Sequence, residues 1–583
     1  MSRRRTSALL AIAARQRRLL RESEAAFIVL AVLAGIAAGV ATDVQQFLAH
    51  ALQHLFYGVN DNRLSALGSI RHPWRLLALP LGGLVLVLMA GWFRRRPLID
   101  VVEANALHGG RLPPVDNLIV AGQTIVSNGT GASVGLEATY AQMGGGIASL
   151  LGQWMKLRRN DLRTLVGAGA GAAVGAAFGA PIAGAFYAFE IVIGSYTPAA
   201  IAPVMAAALS ATFMIQFLGG DPWLIATTAS DRVMTLGDYF AYAVLGLVCA
   251  LLGIVVMRLV SGAELLVQGW KRPGRWRPVI GGLLLMPIAW VSPQSLSSGH
   301  GALHLNLVLH PAIGFLTVVL VLKILACVVS LSFGFRGGLF FASLFLGSLV
   351  GQIFAAAAGV LPFAPGLDST DAALVGMAAL SVSIVGGPMT LAMLMLETTH
   401  DFALTGVVLT AALISGAVTR EVFGYSFSTW RLHLRGATIR SPRDIGWMVD
   451  LTAGRIMRRD WISVERDMTV ADFRARVALG SASKAVLTDA AGHYAGIVVT
   501  AAVWRPDLDT ATPLSALATL QDVTVTPGTN IKRIIALFDE VGADEIAVVD
   551  ELGKVRGIIT ENHARRRCLE EIEAAQRAAF GEY

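Results

Sequence analysis

The chain has 583 residues, of which 55% are hydrophobic and only 15% are charged, and its mean hydropathy is +0.61. Soluble globular proteins carry about 25% charged residues, so this composition argues against a soluble enzyme and against a nucleic-acid-binding protein. Many basic residues behind the net charge of +7 lie in clusters beside apolar segments, such as Arg94–Arg96, which is typical of cytoplasmic loops. We therefore expect a polytopic membrane protein.

The chain divides by composition into five parts. We expect a basic cytoplasmic segment at residues 1–25, a first membrane repeat at 26–230 and a second membrane repeat at 231–440. From residue 441 the chain becomes charged, with short β-branched runs of the kind found in strands. Two similar stretches there predict two small α/β modules, at 441–511 and at 512–583, the second ending in a helix.

An internal repeat supports the division of the membrane part. Pro181 precedes Glu190 by nine residues, and Pro388 precedes Glu397 by the same interval, at an offset of 207 residues. Many apolar segments around these blocks are short or interrupted by Gly and Pro. Broken helices are tolerated in lipid where protein or an aqueous cavity covers them, and they often build the ion sites of transporters.

The motifs together resemble the CLC family of chloride channels and proton/chloride antiporters. They are Gly135-Leu136-Glu137, the run Gly337–Ala342 and the two Pro…Glu blocks, while the tail resembles a tandem CBS-domain pair. The resemblance implies an all-α membrane domain of two inverted-topology repeats with broken helices, followed by a cytoplasmic α/β CBS pair. It also implies a homodimer, embedded in lipid in a bacterial inner membrane, with both termini in the cytoplasm. Chloride or another small inorganic anion is the expected partner, with protons in coupled members, and no cofactor is expected.

Glu137 is the first candidate functional residue. A lone carboxylate in an apolar stretch is costly unless it faces an aqueous path or a partner. The resemblance implies a gating glutamate, which occupies an anion site when it is ionised and leaves that site when it is protonated. The alternative is a carboxylate at a helix end that backbone amides hold for structural reasons.

The resemblance also suggests anion ligands. Backbone amides of Gly135 and Leu136, and those of Gly338, Leu339 and Phe340, are expected to bind the anion, because helix N-termini favour negative charge. Close packing of small residues is the alternative use of these glycines.

Two positions depart from the family or stay open. The family's anion-binding serine falls near Arg96–Asp100, where no serine occurs, so fluoride or broad anion export is an alternative to chloride transport. The inner aromatic residue is either Tyr425 or Phe427, with a plain interfacial anchor as the third interpretation.

Other ionisable positions bear on proton coupling. Glu190 and Glu397 are expected to be structural carboxylates, because they occupy equivalent places in the repeats. The family's inner proton carboxylate appears here as Ile191, which favours channel-like or weakly coupled conduction over strict antiport. Lys323 is expected to extend toward the membrane interface, the alternative being a positive charge beside the pore.

The last expectations concern the tail and a different functional class. The aspartate that holds ribose in CBS pairs is replaced by Val503 and His563, so tight adenine-nucleotide binding is not expected, and Arg565–Arg567 are expected to form a solvated helix face. An intramembrane enzyme is a weaker alternative, since His300 and His304 lack a neighbouring acid.

Overall fold

The structure is a computed structural model, and it describes most of the chain. The chain divides at about residue 444 into a membrane unit and a tail unit. The predicted boundaries after residues 230 and 440 lie outside the described residues. The described ranges are 23–59, 63–70, 72–92, 98–220, 233–269, 274–309, 311–360, 366–434 and 451–580.

Helices joined by short loops make up the described residues of the first half of the membrane unit. Three helices begin with proline, which suits the first helical position because its φ is already helical and its missing N–H would be unpaired there. α7 continues into a π-helical turn at Ala188–Ile193. The α-helices are α1 Glu24–Tyr57, α2 Ala78–Trp92, α3 Val101–Leu107, α4 Pro114–Gly129, α5 Glu137–Trp154, α6 Arg159–Phe178, α7 Pro181–Tyr187 and α8 Pro198–Phe217.

The second half repeats this series of helices in the same order. α5 packs on α6 as α13 packs on α14, and α1 packs on α8 as α9 packs on α16; the halves meet where α7 packs on α15 and α2 on α10. A short helix, α17 (Phe427–Leu434), follows. The repeated helices are α9 Leu236–Gly269, α10 Arg277–Val291, α11 His300–Leu309, α12 Ile313–Ser332, α13 Phe340–Ala358, α14 Ser369–Val385, α15 Pro388–Thr399 and α16 Phe402–Val422.

Glycine explains how closely the central helices of each half pack. A methyl group at Gly144 of α5 would collide with the carbonyl oxygen of Gly169 on α6. The equivalent contact recurs in the second half, between Gly347 of α13 and the carbonyl of Gly376 on α14. Small residues that let backbones touch are a usual basis of helix association in membranes.

Several described segments are long and apolar enough to cross a membrane, while others of the core are shorter. The shorter apolar segments include Pro181–Ile193 and Ser369–Val385, which agrees with the predicted broken helices. The seven long segments are Glu24–Tyr57, Pro73–Gly91, Pro198–Phe217, Leu236–Gly269, Ile313–Ser332, Phe340–Ala358 and Phe402–Arg431.

The tail unit contains two three-stranded sheets of the same design. In each sheet the first strand pairs in parallel with the second, and the second pairs antiparallel with the third. The sheets have the orders β1-β2-β3 and β4-β5-β6. The strands are β1 Ser463–Glu465, β2 Lys484–Thr488, β3 Tyr494–Val499, β4 Thr524–Val525, β5 Glu545–Val549 and β6 Val555–Thr560, and the helices are α18 Ala453–Ile456, α19 Val470–Arg476, α20 Thr500–Val503, α21 Ile531–Val541 and α22 Glu561–Phe580.

The two modules of the tail exchange their leading segments. Leu451 and Ile456, which come first in the chain, pack in the core of the second module. Leu514, which the predicted boundary assigns to the second module, packs in the core of the first. A division at 511/512 therefore separates residues that share a core.

Candidate functional site

The structure brings the two predicted glycine motifs together. The Gly135 N–H donates to the Gly338 carbonyl over 2.9 Å, and the Gly338 N–H donates to the Gly135 carbonyl over 3.1 Å. α5 begins at Glu137 and α13 at Phe340, two residues after the respective glycine. The pairing therefore places the N-terminal ends of two helices, one from each half, beside each other.

Glu137 lies at this junction and is only 2% exposed. Its carboxylate folds back over Gly135, where any side chain would collide with it, and it interacts with the backbone N–H of Phe341. Oε2 has no hydrogen-bond partner among the described residues. The carboxylate thus occupies the place where two helix N-termini attract negative charge, and one of its oxygens remains unpaired.

A cavity of about 110 Å³ lies against Glu137, and we call it the Glu137 cavity. Of the predicted anion residues, Gly338, Leu339 and Phe340 line it together with Glu137, whereas Gly135 and Leu136 do not. Leu136 is instead buried in the core. The second-half motif therefore reaches the cavity, and the first-half motif contributes Glu137.

The structure distinguishes the two candidate aromatic residues. Phe427, the first residue of α17, lines the Glu137 cavity. Tyr425 does not; its ring packs 5.2 Å from that of Trp430 and 6.3 Å from that of Phe423. An aromatic residue thus reaches the cavity from this segment, and it carries no hydroxyl.

Several polar residues of the cavity were missed from the sequence. Arg336 immediately precedes the second glycine motif, and Tyr187 lies between Pro181 and Glu190, so both are close in sequence to predicted motifs. Asp100 ends the segment expected to hold the serine, and Ser428 follows Phe427. Nothing in their local sequence singles out the remaining three. The missed residues are Asp100, Thr124, Gln142, Tyr187, Arg336, Ser428 and Arg431.

Gln142 holds the segment that corresponds to the family's anion-binding serine. Its Oε1 accepts from the Val101 N–H over 2.7 Å, and its Nε2 donates to the Ile99 carbonyl over 3.0 Å. Asp100 caps α3 by accepting from the Val102 N–H. The described part of this segment, Leu98–Asp100, thus presents a carboxylate to the cavity and offers no hydroxyl.

The prediction that Lys323 extends to the membrane interface is wrong. The side chain is fully buried, and its Nζ donates to the carbonyls of Ser297, over 2.6 Å, and Ser295, over 3.3 Å. It also lies 5.9 Å from the ring of Phe345 and within electrostatic range of Glu137. The loop that contains Ser295 and Ser297 supplies the polar partners that water at the membrane interface was expected to supply.

Glu190 and Glu397 each cap a helix of the opposite half. The Glu397 carboxylate accepts from the backbone N–H groups of Ile182 and Ala183, over 2.8 and 2.7 Å, at the start of α7. Glu190 accepts from the backbone of Met389 and Thr390, at the start of α15, and from the Thr390 hydroxyl. These reciprocal caps join the two halves.

A second cavity, of about 640 Å³, borders the loop that binds Lys323. Ser297 and His300 line it, together with Arg63 and Gln53. His300 pairs with the Ser298 hydroxyl over 2.9 Å and stacks on Phe341. His300 is therefore engaged in the membrane core rather than paired with His304.

In the tail, neither position of the expected ribose contact carries a carboxylate. Val503 is fully buried in the core of its module. Arg565 pairs with Glu561 and Asp539, and Arg566 and Arg567 both pair with Glu570. These three arginines thus pair with neighbouring acids.

Comparisons with known proteins agree with this geometry. Residues 82–420 match the profile of a family described as voltage gated chloride channel, and residues 515–570 match that of the CBS domain. A putative chloride channel protein ClcB-like from Ralstonia nicotianae is 29% identical, over 68% of this chain and 94% of its own. The voltage-gated ClC-type chloride channel ClcB from Salmonella typhimurium is 25% identical, over 68% of this chain and 96% of its own.

Solved structures share the fold. A slow cyanobacterial Cl⁻/H⁺ antiporter superposes with a TM-score of 0.62 at 22% identity, over 71% of this chain and 98% of its own. A eukaryotic CLC transporter superposes with a TM-score of 0.61 at 17% identity, over 94% of this chain and 98% of its own. The predicted fold class is confirmed. The family profile covers more than half of the residues, so this chain belongs to the CLC family of voltage-gated chloride channels.

Proposed function

We propose that the protein moves chloride across the membrane through the Glu137 cavity, with Glu137 as the gate and with weak or no coupling to protons. The observation that carries this proposal is the position of the Glu137 carboxylate, buried between two helix N-termini at the cavity wall. The relatives described as chloride channels support the choice of anion.

The gating step follows from charge. An ionised Glu137 carboxylate fills the place where the N-termini of α5 and α13 attract an anion, so it competes with chloride. Protonation removes the negative charge and weakens that attraction, so the side chain can leave. Backbone N–H groups of Leu339 and Phe340 then replace part of the hydration shell of the entering chloride, while the Gly338 N–H stays bonded to the Gly135 carbonyl.

Weak coupling follows from the side chains next to the reciprocal cap. Ile191 has no group that can hold a proton, and it is 7% exposed. The neighbouring Glu190 is occupied by the backbone and hydroxyl of Thr390. A proton path from this side of the protein to Glu137 would have to run through water.

Strict proton/chloride antiport is the second candidate. A structural neighbour is described as a Cl⁻/H⁺ antiporter, which favours it. Fluoride or broad anion export is the third candidate, because the serine segment offers no hydroxyl. It is favoured by a neighbour described as a CLC-type fluoride/proton antiporter, with a TM-score of 0.58 at 20% identity over 68% of this chain and 96% of its own.

Our proposal includes a homodimer in a bacterial inner membrane, with both termini in the cytoplasm. Large apolar side chains such as Phe47, Phe213 and Phe217 are 70%, 65% and 84% exposed, and they would contact lipid or a second subunit. Single-molecule photobleaching of labelled protein in liposomes tests the dimer, and we expect two bleaching steps for each particle.

Flux measurements in liposomes test the function. We expect an imposed chloride gradient to drive chloride efflux with little proton movement when the voltage is clamped. Robust uphill proton pumping by the chloride gradient would establish strict antiport instead. Fluoride efflux without chloride efflux would establish the exporter.

A further inference from the structure

Tyr187 is placed to bind whatever occupies the Glu137 cavity. It is the last residue of α7, it lines the cavity, and it is only 7% exposed. No hydrogen bond joins its hydroxyl to another described residue, and the hydroxyl oxygen is not fully enclosed by protein. A buried phenol hydroxyl normally has a partner, so this one is available to a molecule in the cavity.

The ring of Tyr187 is fixed beside the helix N-terminus that faces the anion. It packs edge to face on Phe340, the first residue of α13, with 6.1 Å between ring centroids. Four charged side chains line the same cavity. They are the carboxylates of Asp100 and Glu137 and the guanidinium groups of Arg336 and Arg431, whose positive charge attracts an anion. The phenol O–H and the backbone N–H groups of α13 are thus donors around one space.

The other hydroxyls of the cavity are less suited to this role. Thr124 donates its proton to the Val120 carbonyl of its own helix, over 2.9 Å. Ser428 stands on α17 beside Phe427 and is more exposed than Tyr187. Tyr187 is therefore the buried hydroxyl donor next to the start of α13.

We propose that the Tyr187 hydroxyl donates a hydrogen bond to the anion in the Glu137 cavity and sets the preference for chloride. This inference rests on the proposed function. It assigns to α7 a donor that the segment Leu98–Asp100 does not supply. A directed O–H donor replaces one water of the anion's hydration shell, and anions differ in how well this bond compensates for the lost water. The chain can therefore discriminate between anions without the serine.

The direct test is Tyr187→Phe, which removes the hydroxyl and keeps the ring against Phe340. Chloride binding is measured by calorimetry on the full-length protein in detergent, and chloride, nitrate and fluoride fluxes are measured in liposomes. A hydrogen bond to a charged group is strong enough that its loss should weaken chloride binding by about tenfold or more. The ratios of the three fluxes should also move toward one.

Matched variants separate the hydroxyl from general damage. Tyr425→Phe removes a phenol hydroxyl outside the cavity, and we expect wild-type chloride binding. Phe427→Tyr adds a hydroxyl to the cavity, and we expect it to restore part of the binding lost in Tyr187→Phe. The inference would be overturned if Tyr187→Phe kept wild-type chloride binding and wild-type flux ratios. It would also be overturned if Ser428→Ala lost chloride binding tenfold and Tyr187→Phe did not.

A failure of the proposed function can be distinguished from a failure of the inference about Tyr187. If the wild-type protein moves fluoride but not chloride, chloride transport is wrong, and the same Tyr187→Phe comparison made with fluoride decides whether Tyr187 is a donor. If the wild-type protein moves none of the three anions, both proposals are overturned.

Discussion

Equivalent positions in the two halves of the membrane unit carry the same carboxylate in one case and different side chains in others, and this contrast separates scaffold from proposed function. Glu190 and Glu397 occupy equivalent positions, and both cap a helix of the opposite half. Glu137, in contrast, is matched 203 residues later by Phe340, at the start of the equivalent helix. The repeated carboxylates hold the halves together, and the unrepeated carboxylate faces the cavity.

The same contrast applies to two further positions. Tyr187 is matched 207 residues later by Leu394, which is buried in the core, so at this pair of equivalent positions only the first half has a hydroxyl. Lys323 is matched 203 residues earlier by Val120, so only one half buries a cation beside Glu137. Duplication therefore provides paired helix N-termini, and in our proposal the asymmetric side chains make the pair into an anion site.

The largest expected effect comes from breaking a repeated carboxylate. Glu397→Ala leaves two backbone N–H groups without their charged acceptor, and each such hydrogen bond contributes about 1.5–3 kcal/mol. We therefore expect a loss of roughly 3 kcal/mol or more in the free energy of unfolding, measured by denaturant titration in detergent.

Glu190→Ala should cost a similar amount, because its contacts mirror those of Glu397. Glu421→Ala, at an exposed carboxylate of the same unit, is the control and should change stability by less than about 0.5 kcal/mol. A stability loss in only one of the two cap variants would contradict the symmetrical role.

A smaller effect is expected from the unrepeated cation. Lys323→Met keeps an unbranched chain in the buried site but removes the charge near Glu137 and the donors to Ser295 and Ser297. Chloride affinity, measured by calorimetry, should fall roughly several-fold, because a buried charge acts through a low effective dielectric. Lys156→Met, at an exposed lysine, should leave chloride affinity unchanged. An equal loss of affinity in both variants would contradict a specific effect of Lys323 on the anion.

The smallest expected signal comes from the tail, whose two modules both lack the ribose carboxylate. Losing a charge-assisted hydrogen bond weakens binding by about tenfold to a hundredfold. Calorimetry of the full-length protein with ATP and AMP should therefore show no micromolar binding. His563→Asp restores a carboxylate in one module and should strengthen binding, whereas micromolar binding by the wild type would refute the expectation.

Much of the architecture could be predicted from the sequence because it follows from repeated spacing. The offset of 207 residues between the Pro…Glu blocks indicates equivalent helix starts, and the structure places Glu190 against the start of α15. Gly135 and Gly338, which pair in the structure, are related by an offset of 203 residues. The sequence also predicts Glu137 as an exceptional residue, because it is a lone carboxylate in an apolar stretch.

Contacts between distant segments could not be predicted in this way. The partners of Lys323 are carbonyls of a loop 26 and 28 residues earlier, and an apolar helix sequence does not show where such a loop turns. The choice between Tyr425 and Phe427 depends on where α17 begins. The exchange of Leu451 and Leu514 between the tail modules depends on tertiary packing alone.

The most direct measurement for the proposed gate is chloride efflux from liposomes as a function of external pH, for the wild type and for Glu137→Gln. Glutamine has nearly the same shape as glutamate but cannot ionise, so it imitates the protonated gate. We expect wild-type efflux to rise as the pH falls and Glu137→Gln efflux to be high and independent of pH, while the exposed control Glu421→Gln follows the wild type. Identical pH dependence in the wild type and Glu137→Gln would contradict gating by Glu137.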